Sequence, residues 1–488
     1  MSSLSRVAAS AIKWGGVSQI GRQLLQVVTL VVLARLLSPA DFGLVSMAAV
    51  FVGFIAIFKD LGVAAAIVQR KELTQRLLST VFWATLALGF LSALTMVLIA
   101  PLVGDLYKQP SVALLLRVLS IAFVISGAAV LQQALLERHL RMRQLAILEL
   151  ISAAAGSFLA ILVAFLGGGV WSLVTMSLTT AAVNSALLWV ANSWRPSRVF
   201  SWSDFRSVLN FSLNLTGFNI INYFVRNADN LLVGRYLGSV ALGYYSMAYR
   251  ILLFPLANIS SVMGRVMFPV YSRISTDLER FRRGYLLTAR AISLATFPLM
   301  CGVFALRTPF VLAVFGEKWR PLIVLVAILA PVGLIQSVAT TTGSIFMARG
   351  RTRLQFMYGL VTGVLAVAAF IIGLRWGVYG VAGAYAVFVL GATYPSFVIP
   401  FRLIDLRFGT FLRALWSIVF ASSVMCLALV GLERLATGRF GPVPTLLVLV
   451  PLGVGIYALA LRVTDPSPVR EVLAALRSRP EPGDTLVD

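Results

Sequence analysis

Arg22, Gln26, Glu149, Asn222, Arg226, Asp229 and Arg250 all stand in or beside runs apolar enough to lie in a bilayer. An ionisable group at that depth must face water or a partner, which makes it a functional candidate. The deep groups are mainly cationic, with three arginines set against Asp229. A guanidinium fork binds phosphate through two parallel N–H bonds and keeps its charge. The set therefore suits an anionic ligand, with phosphate or pyrophosphate the best fit. Amides such as Gln26 and Asn222 suit sugar hydroxyls. Asp229 follows Arg226 by three positions, so the two side chains can meet on one helix face. For Glu149 and Arg290, nearer to span ends, snorkelling to the interface is the favoured reading.

No other chemistry competes. The sequence has no HExxH, GxSxG, Walker loop, CxxC pair or acidic cluster, so neither an enzyme site nor a metal or cofactor site is expected. Cys301 and Cys426 lie far apart in apolar runs and read as small hydrophobes. His139, the sole histidine, stands in a basic loop and is assigned no role.

Two helices present these groups alike. Gln19, Arg22, Gln23 and Gln26 are spaced i, i+3, i+4 and i+7, along one helical face. Asn219, Asn222 and Arg226 trace a similar face. The likeness reflects a duplication. RLLSPADFGLVSMA at 35–48 aligns without a gap on RYLGSVALGYYSMA at 235–248. In that register Arg22, Gln26 and Thr29 overlie Asn222, Arg226 and Asp229.

Composition fixes what carries them. Hydrophobic residues make up 59% of the 488-residue chain and charged residues 12%, far from soluble averages. Apolar runs of about 20 residues recur throughout, the signature of membrane helices. The expectation is an all-α integral membrane protein of about fourteen spans. Two pseudo-symmetric six-helix bundles surround a central cavity, and two C-terminal spans follow. The expected division is an N-terminal lobe over 1–193, a cytoplasmic hinge linker over 194–206 and a C-terminal lobe over 207–403. The two added spans cover 404–463 and a disordered cytoplasmic tail 464–488. The 62–78 segment is expected to lie amphipathically on the membrane surface. First-half prolines (Pro39, Pro101, Pro110) fall at span ends, whereas Pro255, Pro298, Pro331 and Pro395 fall inside spans, where they kink helices.

The net charge of +23 would suggest nucleic acid in a soluble protein. Here it follows from positively charged cytoplasmic loops. One loop set holds Arg138/Arg141/Arg143, Arg280/Arg282/Arg283, Arg349/Arg351/Arg353 and Arg402/Arg407. The opposite set holds fewer, among them Lys108, Lys318/Arg320 and Arg434/Arg439. Both termini are thus expected in the cytoplasm. Six spans per repeat relate the halves by an axis along the membrane normal.

With its duplicated bundles, basic opening segment and the Arg35–Ala48 stretch, the chain resembles the polysaccharide transporters of the multidrug/oligosaccharidyl-lipid/polysaccharide flippase superfamily. Within them it is most similar to Wzx-type exporters of the colanic-acid subgroup. The resemblance covers nearly the whole chain, although the second repeat copy lacks the proline and aspartate. It implies a flippase of the bacterial inner membrane that moves undecaprenyl-pyrophosphate-linked oligosaccharide units outward by alternating access. It implies pyrophosphate-holding roles for Arg22, Arg226 and Arg250, and coupling to an ion gradient, with Asp229 the first candidate and Glu149 the second. Membrane lipids, a polysaccharide polymerase and export machinery are the expected partners, and nucleic acid is not.

Three alternatives are set against this reading. A drug/cation antiporter would want an acidic cavity. A membrane-embedded polymerase or ligase would want a large outer loop bearing catalytic groups. A structural scaffold would make deep charges a liability.

Overall fold

The computed structural model describes residues 21–60, 67, 73–274 and 276–477. Every regular element among them is a helix. This follows from the composition, because in hydrocarbon a helix satisfies its own backbone groups. Eleven stretches of the described residues are long and apolar enough to cross a membrane. Four of these contain breaks: Pro110–Gly127 at Ser120, Tyr223–Ser260 at Gly238, Leu322–Ala348 at Thr340–Thr341, and Thr352–Arg402 at the short 3₁₀ turn Leu374–Trp376. The opening helix is described from residue 21 to 36 only. Eleven is thus a count of stretches, and it does not establish the expected fourteen. Most of the 62–78 surface segment lies outside the described residues.

The chain forms two compact units, divided between Ser246 and Met247. In the first, helix Pro39–Asp60 starts at a built cap. The Ser38 backbone N–H and hydroxyl both donate to Asp41 Oδ2, at 2.8 and 2.6 Å, and the Asp41 N–H donates to Ser38 Oγ at 3.3 Å. Pro39 occupies the first helical position, where its missing N–H costs nothing. Ser-Pro-Ala-Asp is thus a capping box in which aspartate takes the usual glutamate's place. The second repeat copy has no such box. There the chain turns at Gly238 (φ 83°, ψ −179°), a conformation open essentially to glycine alone.

The two repeat copies touch each other reciprocally. A Cβ on Gly43 would lie 1.8 Å from the Ser239 carbonyl oxygen, and a Cβ on Gly243 would lie 1.9 Å from that of Pro39. In the repeat register Gly43 overlies Gly243 and Pro39 overlies Ser239. Each glycine therefore seats the first carbonyl of the other copy's helix.

The 192–201 linker is strapped along the start of helix Gln75–Tyr107. Gln75 Nε2 donates to the Arg195 carbonyl at 2.8 Å, and Trp194 Nε1 donates to Gln75 Oε1 at 2.7 Å. Trp83 Nε1 donates to the Ser197 carbonyl at 2.9 Å. The Ser201 N–H donates to Thr80 Oγ1 at 3.0 Å. A segment that reads as a hinge by composition is held at several points along its length.

In the second unit, an aromatic cluster gathers Tyr271, Phe281, Tyr285, Phe397, Phe401 and Phe411, all buried. Pro255 is followed by a π-helical turn, Leu256–Ser260, the kind of ladder defect that bends a helix. Pro298, Pro331 and Pro395 lie inside helices as expected. Pro101 does too, because its helix runs on to Tyr107 rather than ending there.

The expected disordered tail is a helix over Ser467–Arg477. Asp465 starts it: its carboxylate accepts the Ser467 N–H and hydroxyl, both at 2.9 Å. These bonds hold the Asp465 carboxyl below the usual carboxylate range. Glu471 then pairs with Arg290, whose Nε also donates to the Ala414 carbonyl at 3.0 Å. Arg290 therefore ties three helices together and does not snorkel. Composition concealed this because the tail as a whole is Pro-rich and charged, whereas this short amphipathic stretch packs its apolar face on residues far earlier in the chain. Residues 478–488 lie outside the described residues.

Cys301 and Cys426 are free thiols that meet against one apolar cluster, although the sequence sets them far apart.

Candidate substrate-binding site

The expected site residues divide into a paired set and an open set. In the first unit Arg22 Nη1 lies 3.1 Å from Glu149 Oε2, with both side chains about one-third exposed. The opening helix and helix Met142–Phe165 are thereby joined. Residues so distant in sequence carried no signal of this contact. Glu149 is thus held by an ion pair and does not snorkel, while the partial exposure of Arg22 leaves the expected ligand role open to it.

Asp229 is almost fully buried, at 2% exposure. Its Oδ2 accepts the Tyr245 hydroxyl at 3.0 Å, and its Oδ1 accepts the Asn230 N–H at 2.7 Å. The expected ion pair with Arg226 is absent among the described residues. Three helical steps leave the two side chains on adjacent directions of the helix. The Asp229 direction is filled by the helix after Gly238, which brings Tyr245 with it, whereas Arg226 points to an exposed direction. Tyr245 was the partner that sequence reading missed. The available signal was the Gly238 break, which folds a buried tyrosine back onto the aspartate.

The same stretch docks on helix Pro39–Asp60. The Tyr223 hydroxyl donates to the Val50 carbonyl at 2.7 Å. A Cβ on Gly53 would stand 2.3 Å from that hydroxyl, so only glycine leaves it room. Phe54 and Phe224 pack beside it, with ring centroids 4.8 Å apart.

The open set comprises Gln26, Arg226 and Arg250, all exposed. Neither Arg226 nor Arg250 makes an ion pair among the described residues. Their donors remain available to a ligand. The Asn222 side chain, and Gln19 with it, lie outside the described residues. In the second unit Gln336 Nε2 donates to the Tyr385 hydroxyl at 2.5 Å, and the Tyr249 hydroxyl donates to the same oxygen at 3.2 Å. The described residues hold no cluster of histidine, cysteine and carboxylate side chains able to bind a metal.

Residues 32–324 match the family described as "Polysaccharide biosynthesis protein". The chain belongs to that family, and it is a multi-pass membrane protein. It is 28% identical over 422 residues to the lipopolysaccharide biosynthesis protein WzxC of Escherichia coli K12, covering 85% of each chain. It is 28% identical to the teichuronic acid biosynthesis protein TuaB of Bacillus subtilis, covering 83% of this chain and 85% of that one. With the succinoglycan biosynthesis transport protein ExoT of Rhizobium meliloti it shares 31% identity over 63% of its length and 62% of the relative's.

Among solved structures it superposes on the lipid II flippase MurJ in an inward closed conformation with a TM-score of 0.75. That match covers 94% of this chain and all of the other, at 14% identity. An inward-facing multidrug resistance MATE transporter gives a TM-score of 0.63 at 18% identity, covering 79% and 94%. At such identities these likenesses describe the fold alone.

Proposed function

We propose that the chain is a flippase, not an enzyme, that moves undecaprenyl-pyrophosphate-linked oligosaccharide units across the bacterial inner membrane during surface polysaccharide synthesis. Family membership supports the pathway, and the names of the relatives attach to polysaccharide synthesis and transport. The observation that carries the ligand class is the open set: Arg226 and Arg250 are exposed on hydrocarbon-length helices and have no carboxylate partner among the described residues. Uncompensated cations in such helices are costly unless an anion or water meets them. A pyrophosphate meets that demand, and a cationic drug does not. The drug/cation antiporter reading shares the fold but would require the opposite charge. A polymerase and the export machinery are the downstream partners of this reading. Reconstitution tests it: transbilayer movement of a pyrophosphate-linked oligosaccharide in protein-containing but not protein-free liposomes supports it, and equal rates overturn it.

Asp229 is the group we assign to ion coupling. A buried carboxyl held by one hydroxyl and one backbone N–H can take up a proton without breaking a salt bridge. Asp229→Asn is expected to retain substrate binding and to flatten the dependence of transport on pH. Tyr245→Phe is expected to shift that dependence, and Arg226→Ala to leave it in place. The coupling role fails if Asp229→Asn transports with an unchanged pH profile. Glu149, held by Arg22, is the second candidate.

The orientation is assigned from the basic loops, with both termini cytoplasmic. Reporters placed after Arg198 or at the C-terminus should read cytoplasm, and reporters near Gly168 or Lys318 should read periplasm. A periplasmic signal at Arg198 would reverse the assignment.

A further inference from the structure

Three helices of the second unit end around one groove of about 960 Å³. Its walls come from the first turns of Leu278–Ala305, the last turn of Gly377–Arg402 and the start of Phe408–Ala436. All three helices are long and apolar enough to span a membrane. The groove therefore opens at the depth where lipid headgroups begin.

Its charged lining is Arg282, Arg283, Arg402 and Arg407 against Glu279 and Asp405. Glu279 is already engaged, with Arg283 Nη2 at 2.8 Å from its Oε1. Arg282 Nη1 donates to the Asp405 carbonyl at 3.1 Å, which the left-handed backbone of Asp405 (φ 50°) turns toward it. Arg402 and Arg407 are exposed and make no hydrogen bond or ion pair through their side chains among the described residues. A guanidinium carries five donors, so most of the donor capacity of the groove is unused. Helix Phe408–Ala436 also begins here with no side-chain cap. The floor is apolar, with Phe401 and Leu406 buried and Leu286 beside them.

We propose that this groove binds the phosphate-bearing headgroup of an acidic phospholipid. Arg402 and Arg407 grip the phosphate, and the apolar floor receives the glycerol and the first methylenes. Basic pockets between helices at the cytoplasmic ends of spans are suited to such lipids. A soluble phosphate would meet the same arginines but would leave the apolar floor uncovered, so the lipid is the occupant the lining favours. The groove shares no residue with the open set of Gln26, Arg226 and Arg250, and its assignment does not depend on the flippase reading.

The test measures thermal unfolding of the purified full chain in phosphatidylcholine nanodiscs, with phosphatidylglycerol or cardiolipin added stepwise. The acidic lipid is expected to raise the unfolding temperature of the wild type. The double variant Arg402→Gln/Arg407→Gln should need roughly thirtyfold more of it for the same shift. Arg434→Gln/Arg439→Gln, which removes equal charge at the far end of Phe408–Ala436, should respond as the wild type does. No shift in the wild type, or equal loss in both double variants, would overturn the proposal. A comparable shift from inorganic phosphate alone would identify a soluble anion and overturn the lipid assignment.

Discussion

Gly43→Ala is expected to cost the folded protein roughly 1–3 kcal/mol or more and to reduce polysaccharide export sharply. The added methyl would stand 1.8 Å from the Ser239 carbonyl oxygen. That oxygen belongs to a helix backbone, so no side-chain rotamer can relieve the clash, and the two repeat copies must move apart. Gly243→Ala meets the Pro39 carbonyl at 1.9 Å and should behave alike. Because both changes open one interface, the double variant should fall short of the sum of the singles. Gly302→Ala is the control, since nothing lies within 4 Å of its added Cβ. In a helix interior that change is expected to be neutral or stabilising by up to ~1 kcal/mol. Thermal unfolding in detergent reads the first effect, and export from a strain lacking the endogenous protein reads the second. Wild-type stability and export in Gly43→Ala would refute the reciprocal contact.

Arg226→Ala and Arg250→Ala should each lower export by about ten- to a hundredfold, the loss of one charge-assisted contact of ~1.5–3 kcal/mol. Protein levels should stay normal, because both side chains are exposed and neither makes an ion pair among the described residues. Lysine should rescue only in part, as a point charge without the planar fork. Arg22→Ala should behave differently. It leaves Glu149 without its partner, so part of its effect should appear as lost protein. Normal export in both the Arg226→Ala and Arg250→Ala variants would remove the phosphate-binding role from the open set.

The helical membrane fold was legible because run length and hydropathy are local properties. The repeat was legible because both copies kept their Gly-x-x-Ser-Met-Ala pattern in register. The function of Ser38-Pro39-Ala40-Asp41 was not apparent until the capping bonds were seen. Of the site, the polar residues were legible as residues that a bilayer would otherwise exclude. Their partners were not. Arg22 meets Glu149 and Asp229 meets Tyr245 through helix packing, which spacing along one helix cannot report. The same limit explains Arg290, which looked interfacial until the C-terminal helix supplied Glu471. The arginines of the groove were counted only as loop charge, because their convergence depends on three helices ending together.

The most direct measurement follows a lipid-linked oligosaccharide across the membrane of liposomes holding the purified protein. The substrate is a polyprenyl-pyrophosphate oligosaccharide placed in one leaflet, and its appearance in the other is read by accessibility to a glycosidase added outside. The account predicts transfer with the wild type, little with the Arg226→Ala/Arg250→Ala double variant, and none in protein-free liposomes. Transfer by the wild type no faster than in protein-free liposomes, or equally fast in the double variant, would contradict it.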